Sequence, residues 1–300
     1  REMATLPSIR GYLWNVFGSL LGVIALGVMS WSQWPPQVWF GIAGLVALPF
    51  LLTPDPGQQA PPAWLRWSGV ALNGAAIVLI AMMATHTLWS PYYKVLVRQD
   101  GTDTVVEVNN IFHQSMAPLD HKEYFYQWPY AVFGDTFDDV LIIGAGSGTD
   151  VTAALRHGAK SVDAVEIDPV IIRLGRQLHP DRPYDDPRLR VINDDGRHFL
   201  RTTGKKYDLI VYALIDSLTL QSGFSGVRLE SYMFTEEAFE AVRDRLKPNG
   251  LMVMYNYFRE DWLVDRLANT AARVFEQEPW LHVHAARAYL GVMLAGPRVA

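Results

Sequence analysis

Hydrophobic and charged positions are distributed unevenly along the chain, and the distribution changes near residue 90. Residues 11–54 contain no Asp, Glu, Lys, Arg or His, and residues 67–93 contain only His86 of these types. A helix rises ~1.5 Å per residue and the hydrocarbon core of a bilayer is ~30 Å thick, so roughly 20 apolar residues cross it. The pattern predicts three transmembrane helices, over Gly11–Ser30, Pro36–Thr53 and Trp67–Leu88.

Two further observations favour a membrane domain at residues 1–90. Seven of the ten tryptophans lie there, mostly at the ends of the apolar runs, where indole rings favour the headgroup layer. The alternative is three buried helices of a soluble domain, but the 44 residues without a charge would leave no solvated helix face. Because the first residue is Arg and no leader sequence precedes the first run, we expect further spans upstream in a longer protein.

From about residue 135, short apolar runs alternate with helical segments, which is typical of an α/β fold with a doubly wound, Rossmann-like sheet. The predicted strands are Val140–Ile143, Ser161–Glu166, Arg190–Asn193, Leu209–Ala213, Leu251–Asn256, His282–Ala286 and Tyr289–Ala295. The predicted helices are Asp150–Arg156, Pro169–Leu178, Arg197–Thr202, Thr235–Leu246 and Asp261–Glu276. Residues 135–300 would be the nucleoside-binding domain, and residues 91–134 a small β-rich cap with strands near Lys94–Val97 and Thr104–Val108.

The first predicted strand of this domain runs into a glycine-rich loop, Gly144-Ala145-Gly146-Ser147-Gly148, and a helix follows. Strand, glycine loop and helix together form a receptor for a polar ligand. Glu166 ends the second strand about 20 residues later, where an acid can accept both ribose hydroxyls. Asp195 follows the third strand, where an acid can accept from the adenine amine. The predicted cofactor-binding residues are Gly144, Gly146, Ser147, Gly148, Glu166, Ile167, Asp194, Asp195 and Gly196.

A dinucleotide site for NAD is the alternative interpretation of this loop. The loop reads G-x-G-x-G, however, and Thr149 stands where the dinucleotide fingerprint has its third glycine. The additional acid after the third strand favours a pocket for S-adenosylmethionine or its decarboxylated form. The acidic balance after residue 90, with 23 basic and 29 acidic residues, argues against nucleic-acid binding. The absence of cysteine excludes thiolate chemistry, and His282 and His284 are expected to be a solvated strand edge, with no metal site.

Four segments of the domain resemble the spermidine synthase family: VLIIGAGSG at 140–148, VEIDP at 165–169, Asp195-Gly196-Arg197 and LKPNG at 246–250. SPYYKV at 90–95 and Tyr124–Gln127 resemble the start of the family's catalytic region, and the front half is similar to its membrane-spanning members. The resemblance implies a class I methyltransferase-type sheet. It also implies transfer of an aminopropyl group from decarboxylated S-adenosylmethionine to an amine.

The chain departs from the family's pattern at the acids that hold cationic amines. Ala213 stands at the usual catalytic acid, Ser147 at the acid of the glycine loop, and Trp128 at the Glu of a Tyr-x-Glu motif; Tyr93 also replaces an expected Gln. Asp216 is the remaining acid of the turn after the fourth strand. Because ammonium groups without carboxylate partners are costly to desolvate, the departures predict that putrescine is not the acceptor.

The leading functional hypothesis is therefore a membrane-anchored S-adenosyl-type transferase of alkyl or methyl groups, acting on a small or lipid-proximal acceptor. The alternatives are an aminopropyltransferase with a rebuilt set of acids, and a non-catalytic nucleoside sensor coupled to the membrane domain. The candidate catalytic residues are Asp216 and Tyr126, and the candidate acceptor-binding residues are Gln127, Gln221 and Tyr232. The domain is expected to face the cytoplasm, where the donor is found, and the Gly18–Gly22 pair makes a homodimer possible.

Overall fold

A computed structural model of the protein describes residues 8–53, 62–134, 137–215, 229–287 and 290–299. The chain divides into two compact units, residues 1–96 and 97–300.

The first unit contains three apolar helices: α1 (Ser8–Trp31), α2 (Pro36–Leu52) and α3 (Ala63–Met83). Two of them, Ile9–Trp31 and Ala63–Met83, are long and apolar enough to cross a membrane by length and composition, and α2 is shorter. No residue of the best apolar window of either long helix is buried. In a core helix of a soluble protein, most of such a window would be buried.

The third predicted span is displaced from its expected position at Trp67–Leu88. The helix α3 begins at Ala63, and Arg66 is accommodated in its first turn because one guanidinium nitrogen lies 3.4 Å from the last carbonyl of α2, at Leu52. The helix ends at Met83, and a turn follows in which His86 takes a left-handed conformation, with φ at 68°. The following strand β1 (Thr87–Trp89) then pairs antiparallel with the start of β2 (Lys94–Asp100).

Helices α2 and α3 pack closely at one polar contact. The Asn73 side-chain amide donates to the Gly44 carbonyl at 3.1 Å. A Cβ at position 44 would lie 2.7 Å from the Asn73 Oδ1, so glycine is what allows this approach. The contact follows the general pattern of apolar helix pairs, in which small residues bring backbones together and a polar side chain bonds across.

Asn73→Leu is expected to lower the free energy of unfolding of the helix pair by about 0.5–2 kcal/mol, the range for interhelical hydrogen bonds in membranes. The measurement is denaturant unfolding of the full chain in detergent micelles. Ser68→Ala is the matched control, because the Ser68 hydroxyl donates within its own helix, to Leu65. Equal stability of the Asn73 variant and wild type would show that the bond contributes nothing.

The second unit begins with the cap. The end of β2 leads through a turn at Gly101 into β3 (Asp103–Val108), which pairs antiparallel with β4 (Ile111–Met116). The strand β4 was not predicted. Two short 3-10 turns follow, Leu119–His121 and Tyr124–Tyr126, and then α4 (Trp128–Phe133).

A seven-stranded sheet forms the rest of the unit. Its strands are β5 (Asp139–Ile143), β6 (Ser161–Glu166), β7 (Leu189–Asn193), β8 (Tyr207–Ala213), β9 (Leu246–Tyr257), β10 (Trp280–His284) and β11 (Leu290–Ala295). Its helices are α5 (Thr149–Arg156), α6 (Pro169–Leu178), α7 (Gly196–Thr202), α8 (Glu236–Arg245) and α9 (Asp261–Phe275). The strand order is β10-β11-β9-β8-β5-β6-β7, with β11 antiparallel to both of its neighbours. The prediction of a doubly wound α/β sheet is confirmed.

One predicted turn is wrong. In the sequence, Lys247-Pro248-Asn249-Gly250 predicts a turn between the helix Thr235–Leu246 and the strand that starts at Leu251. The structure includes this segment in β9. Leu246 already pairs with Tyr207 of β8, and the register shifts before Leu251 pairs with Leu209. The shift accommodates Pro248 and Gly250 within the strand, as β-bulges commonly do.

Ion pairs connect the cap to the sheet domain. Arg156, at the end of α5, bonds Asp120 of the cap at 2.8 Å and Asp181, which follows α6, at 2.9 Å. Asp181 also accepts from the Leu119 amide at 2.9 Å. These contacts hold the 3-10 turn Leu119–His121 of the cap against the end of α5 and the segment that follows α6.

Candidate functional site

The glycine loop at residues 144–148 is shaped by three glycines with positive φ, 73° at Gly144, 55° at Gly146 and 109° at Gly148. A Cβ at Gly144 would lie 2.4 Å from the Ile215 side chain, and one at Gly146 would lie 2.8 Å from the Gln114 Oε1. The loop therefore needs glycine both for its backbone conformation and for the space around it.

Every backbone amide of this loop already has a partner within the protein. The amides of Gly144 and Ala145 donate to the Val165 carbonyl, Gly146 to Glu166 Oε2, Ser147 to Gln114 Oε1 and Gly148 to the Ala145 carbonyl, at 2.9–3.1 Å. A dinucleotide loop works differently, because its amides point at the pyrophosphate of the ligand. The hydrogen bonding thus disfavours the NAD interpretation.

Gln114, on β4, was not among the predicted site residues. Its Oε1 accepts from both the amide and the hydroxyl of Ser147, at 3.0 and 2.9 Å. Its Nε2 is buried and has no hydrogen-bond partner among the described residues. A buried donor without a partner is costly, so this amide is available to a ligand acceptor. No motif marked Gln114, because its role depends on an unpredicted strand meeting the loop 33 residues later.

Tyr184 is a second residue that the sequence did not indicate. Its hydroxyl donates to the Gly146 carbonyl at 2.6 Å. Its ring lies against Gly148 and Gly175, where an added Cβ would be 2.8 Å from the ring in each case. At Gly175 the same Cβ would also lie 2.5 Å from the Ser147 carbonyl, so α6 packs directly against the back of the loop.

Glu166 is positioned as predicted, at the end of β6 and beside the loop. Its two carboxylate oxygens accept from the amides of Asp168 and Gly146, each at 2.9 Å. Burial raises the pKa of Glu166 to about 7, and the two amides only partly offset this. Asp168 begins α6 by accepting from the amides of Val170 and Ile171. Each Glu166 oxygen retains a lone pair, which suits two vicinal ribose hydroxyls.

The predicted adenine side of the pocket lies at the end of β7. Asp194 accepts from the Asp195 amide at 2.8 Å, and its other oxygen lies 2.7 Å from the His198 Nδ1. Asp195 begins α7 by accepting from the His198 amide through its Oδ1. This helix-capping bond does not use the other carboxylate oxygen, Oδ2. Gly196 lies against the Ile143 side chain, 2.5 Å from an added Cβ. Ile167 is half-buried beside them.

The candidate acceptor residues are more dispersed. Tyr126 is half-buried in a 3-10 turn, and its ring centroid lies 5.7 Å from that of Tyr255. Burial, and next the negative charge of Asp150, raise the pKa of Tyr126 well above its usual value. Gln127 ends the same turn and is half-buried. Tyr232 is 50% exposed, and its backbone carbonyl accepts from the Arg197 guanidinium at 2.8 Å. Asp216 and Gln221 lie outside the described residues.

The positions where family acids were expected are occupied by uncharged side chains. Ala213 is buried at the end of β8, and Trp128 packs edge-on against Trp280 and His282, at 4.9 and 4.6 Å between centroids. The Nε2 atoms of His282 and His284 lie 3.0 Å apart. Across the part of the chain that the structure describes, no group of three or more metal-ligating side chains occurs.

Comparison with known sequences identifies the family. The profile described as "Spermine/spermidine synthase domain" matches residues 130–293, which is more than half of the chain. The chain belongs to the spermine/spermidine synthase domain family. The matched region of this family member contains the glycine loop, Glu166 and Asp195, but not Gln114 or the other cap residues before 130.

Several curated relatives are polyamine aminopropyltransferases by name. Polyamine aminopropyltransferase 1 of Streptomyces coelicolor is 24% identical over 270 residues, covering 81% of this chain and 47% of the relative. The Escherichia fergusonii enzyme is 34% identical over 39% of each protein. The chain thus spans about half, or less, of these two relatives. The similarity to the Streptomyces coelicolor protein covers 81% of this chain, which is more than residues 97–300 alone. It therefore extends into the unit that contains the apolar helices.

Solved structures show the same fold. A spermidine synthase in complex with the transition state analogue AdoDATO superposes with a TM-score of 0.55 at 17% identity, covering 71% of this chain and 72% of that one. Spermidine synthase from Thermotoga maritima gives a TM-score of 0.53 at 18% identity, over 68% and 69% of the two chains. These neighbours confirm the Rossmann-like, methyltransferase-type architecture.

Proposed function

We propose that this family member is an aminopropyltransferase that uses decarboxylated S-adenosylmethionine as donor and an amine as acceptor. The sequence favoured a general alkyl or methyl transferase and kept aminopropyl transfer as an alternative; the names of the relatives support the alternative better. The observation that carries the proposal is the saturated glycine loop beside Glu166, which suits a nucleoside and not a pyrophosphate.

The residues at the carboxyl edge of the sheet fit such a donor. Glu166 would hold the ribose hydroxyls through its carboxylate, and Asp195 would accept from the adenine amine through Oδ2. The side-chain amide nitrogen of Gln114, which has no partner among the described residues, would donate a hydrogen bond to the part of the donor that lies over the loop. When bound, the donor supplies an aminopropyl carbon activated by a sulfonium centre.

The chain's own contribution to the reaction would be orientation and removal of a proton. Tyr126 keeps its phenolic proton at neutral pH, because burial raises its pKa. It therefore suits hydrogen bonding to the acceptor nitrogen and does not suit the role of base. Asp216, the remaining acid of the turn that follows β8 in the sequence, is the candidate base.

Trp128 and Tyr126 would form one wall of the acceptor site, and their aromatic rings favour an amine with apolar character. The carboxylates expected at positions 128 and 213 are replaced by Trp and Ala. A dication such as putrescine would lose two anionic partners there, so we expect it to be a poorer acceptor than an amphipathic monoamine. The apolar helices would anchor the enzyme in a membrane with the catalytic unit in the cytoplasm, close to lipid-soluble acceptors.

The test is the identity of the co-product. The full chain in detergent is incubated with decarboxylated S-adenosylmethionine or S-adenosylmethionine, each with putrescine, a long-chain monoamine or a lipid extract. We expect 5′-methylthioadenosine and an aminopropylated amine from the decarboxylated donor. Formation of S-adenosylhomocysteine from S-adenosylmethionine would establish methyl transfer instead. Tight donor binding with neither product would support the sensor hypothesis.

A further inference from the structure

Two histidine side chains meet on the outermost strand of the seven-stranded sheet. His282 and His284 lie two positions apart on β10, which ends the strand order. Alternate residues of a strand point to the same face, and here the two Nε2 atoms lie 3.0 Å apart. His284 is exposed and His282 is half-buried, so a small ligand can reach the pair from solvent.

Two tryptophan rings orient His282. Trp128 packs edge-on against the imidazole, with 4.6 Å between the ring centroids and 89° between the planes. Trp280 lies nearly parallel to the same imidazole, at 6.1 Å and 11°, and also contacts Trp128 at 4.9 Å. This packing holds the His282 ring in the orientation that brings its Nε2 to His284. The pair is therefore preorganised for a ligand that contacts both nitrogens.

The separation of the two nitrogens matches the spacing of neighbouring ligands around a transition-metal ion. A metal–imidazole bond is about 2.0–2.1 Å long, so nitrogens 3.0 Å apart subtend an angle of roughly 95° at the ion. Ligands next to each other in tetragonal or octahedral coordination subtend a similar angle. Without an ion, one neutral ring can donate from Nε2 to the other. Metal binding then requires that proton to move to Nδ1 of its own ring, and the pair loses no proton.

We propose that His282 and His284 chelate a divalent transition-metal ion, with Cu²⁺ bound most tightly. Imidazole suits zinc, nickel and copper, and affinity for a nitrogen site of this kind peaks at Cu²⁺. Water would complete the coordination sphere, because no third metal-ligating side chain joins the pair among the described residues. The sequence predicted a solvated strand edge without a metal, since residue spacing alone does not show that the two rings converge.

The proposed ion site is separate from the nucleoside site. Three strands of the sheet, β11, β9 and β8, separate β10 from β5, whose end carries the glycine loop. The ion would therefore take no part in the proposed aminopropyl transfer, and neither proposal depends on the other.

Calorimetric titrations of the full chain in detergent with Cu²⁺, Zn²⁺ and Mg²⁺ test the site. They are made at pH 8, because neutral imidazole is the form that binds a metal. Electron paramagnetic resonance of the Cu²⁺ complex counts the bound imidazole nitrogens. The variants are His284→Gln and His282→Gln. The matched control is His121→Gln, because His121 is an exposed histidine on another segment, in the cap.

We expect wild type and the His121 variant to bind Cu²⁺ through two imidazole nitrogens, Zn²⁺ more weakly, and Mg²⁺ not at all. Each variant of the pair is expected to weaken Cu²⁺ binding at least tenfold and to show a single imidazole nitrogen. His284→Gln alone carries the test if His282→Gln folds poorly, because position 284 is exposed.

The inference is overturned if His284→Gln keeps the Cu²⁺ affinity and the nitrogen count of wild type, since the pair would then be joined only by a hydrogen bond. It is also overturned if His121→Gln weakens Cu²⁺ binding as much as His284→Gln does. That result would show unspecific binding of Cu²⁺ to exposed histidines.

Discussion

Replacement of Glu166 by alanine is expected to weaken binding of the adenosyl donor by about 1.5–3 kcal/mol, roughly 10- to 150-fold. The carboxylate lies at the end of β6 and is held by the amides of Gly146 and Asp168, so its oxygens are fixed toward the pocket. Charge-assisted hydrogen bonds to two ribose hydroxyls are the interactions that the variant loses. Calorimetry with 5′-methylthioadenosine isolates the effect, because this ligand contains the ribose and lacks the aminopropyl chain.

The pH dependence gives a second readout of the same group. Since burial raises the Glu166 pKa to about 7, wild-type affinity should fall as the pH drops below 7 and the carboxylate is protonated. The alanine variant should lack the part of this dependence that comes from Glu166. Glu237→Ala, at an exposed acid of α8, is the control for loss of one negative charge. Unchanged affinity in the Glu166 variant would refute the ribose assignment.

Asp150→Asn is expected to stabilise the unliganded protein, and to do so more at pH 8 than at pH 5. Burial raises the pKa of Asp150 from 3.8 to about 7, and Lys122 only partly opposes this. Between these two values the folded state binds more protons than the unfolded state, so the free energy of unfolding decreases as the pH rises. From pH 5 up to the folded-state pKa of Asp150, the free energy of unfolding falls by about 1.4 kcal/mol per pH unit, which amounts to roughly 3 kcal/mol.

Denaturant unfolding of both proteins at pH 5 and pH 8 measures this difference. Glu166 titrates with the same sign, whereas burial lowers the pKa of His113 and His179 to about 4, so that both destabilise the folded state on acidification below about 6.5. These groups are common to wild type and variant, and their contributions cancel in the comparison. A stability difference that is independent of pH would mean that Asp150 is not a buried titrating group.

The nucleoside half of the site could be predicted because its chemistry is local in sequence. A strand that runs into Gly144–Gly148, and a second strand that ends in Glu166, constrain their own geometry through backbone conformation and strand spacing. The cofactor residues of the loop and of β6 therefore lie together at one edge of the sheet, as the alternation of elements predicted.

The missed residues depend on contacts between distant segments. Gln114 meets the loop only because β4 forms, and Tyr184 meets it only because α6 packs at Gly175. Asp150 was interpreted as an ordinary residue at the start of a helix, since nothing local shows that it is buried. The turn expected at Lys247–Gly250 failed for a related reason: pairing with β8 outweighed the local preference of Pro248 and Gly250.

The most direct test of the account is an experimental structure of the full chain with decarboxylated S-adenosylmethionine or 5′-methylthioadenosine bound. We predict that the ribose hydroxyls lie on the Glu166 carboxylate and that the adenine amine lies within hydrogen-bonding distance of Asp195. Adenine bound elsewhere, with Asp195 facing solvent and Glu166 contacting only the loop amides, would contradict it.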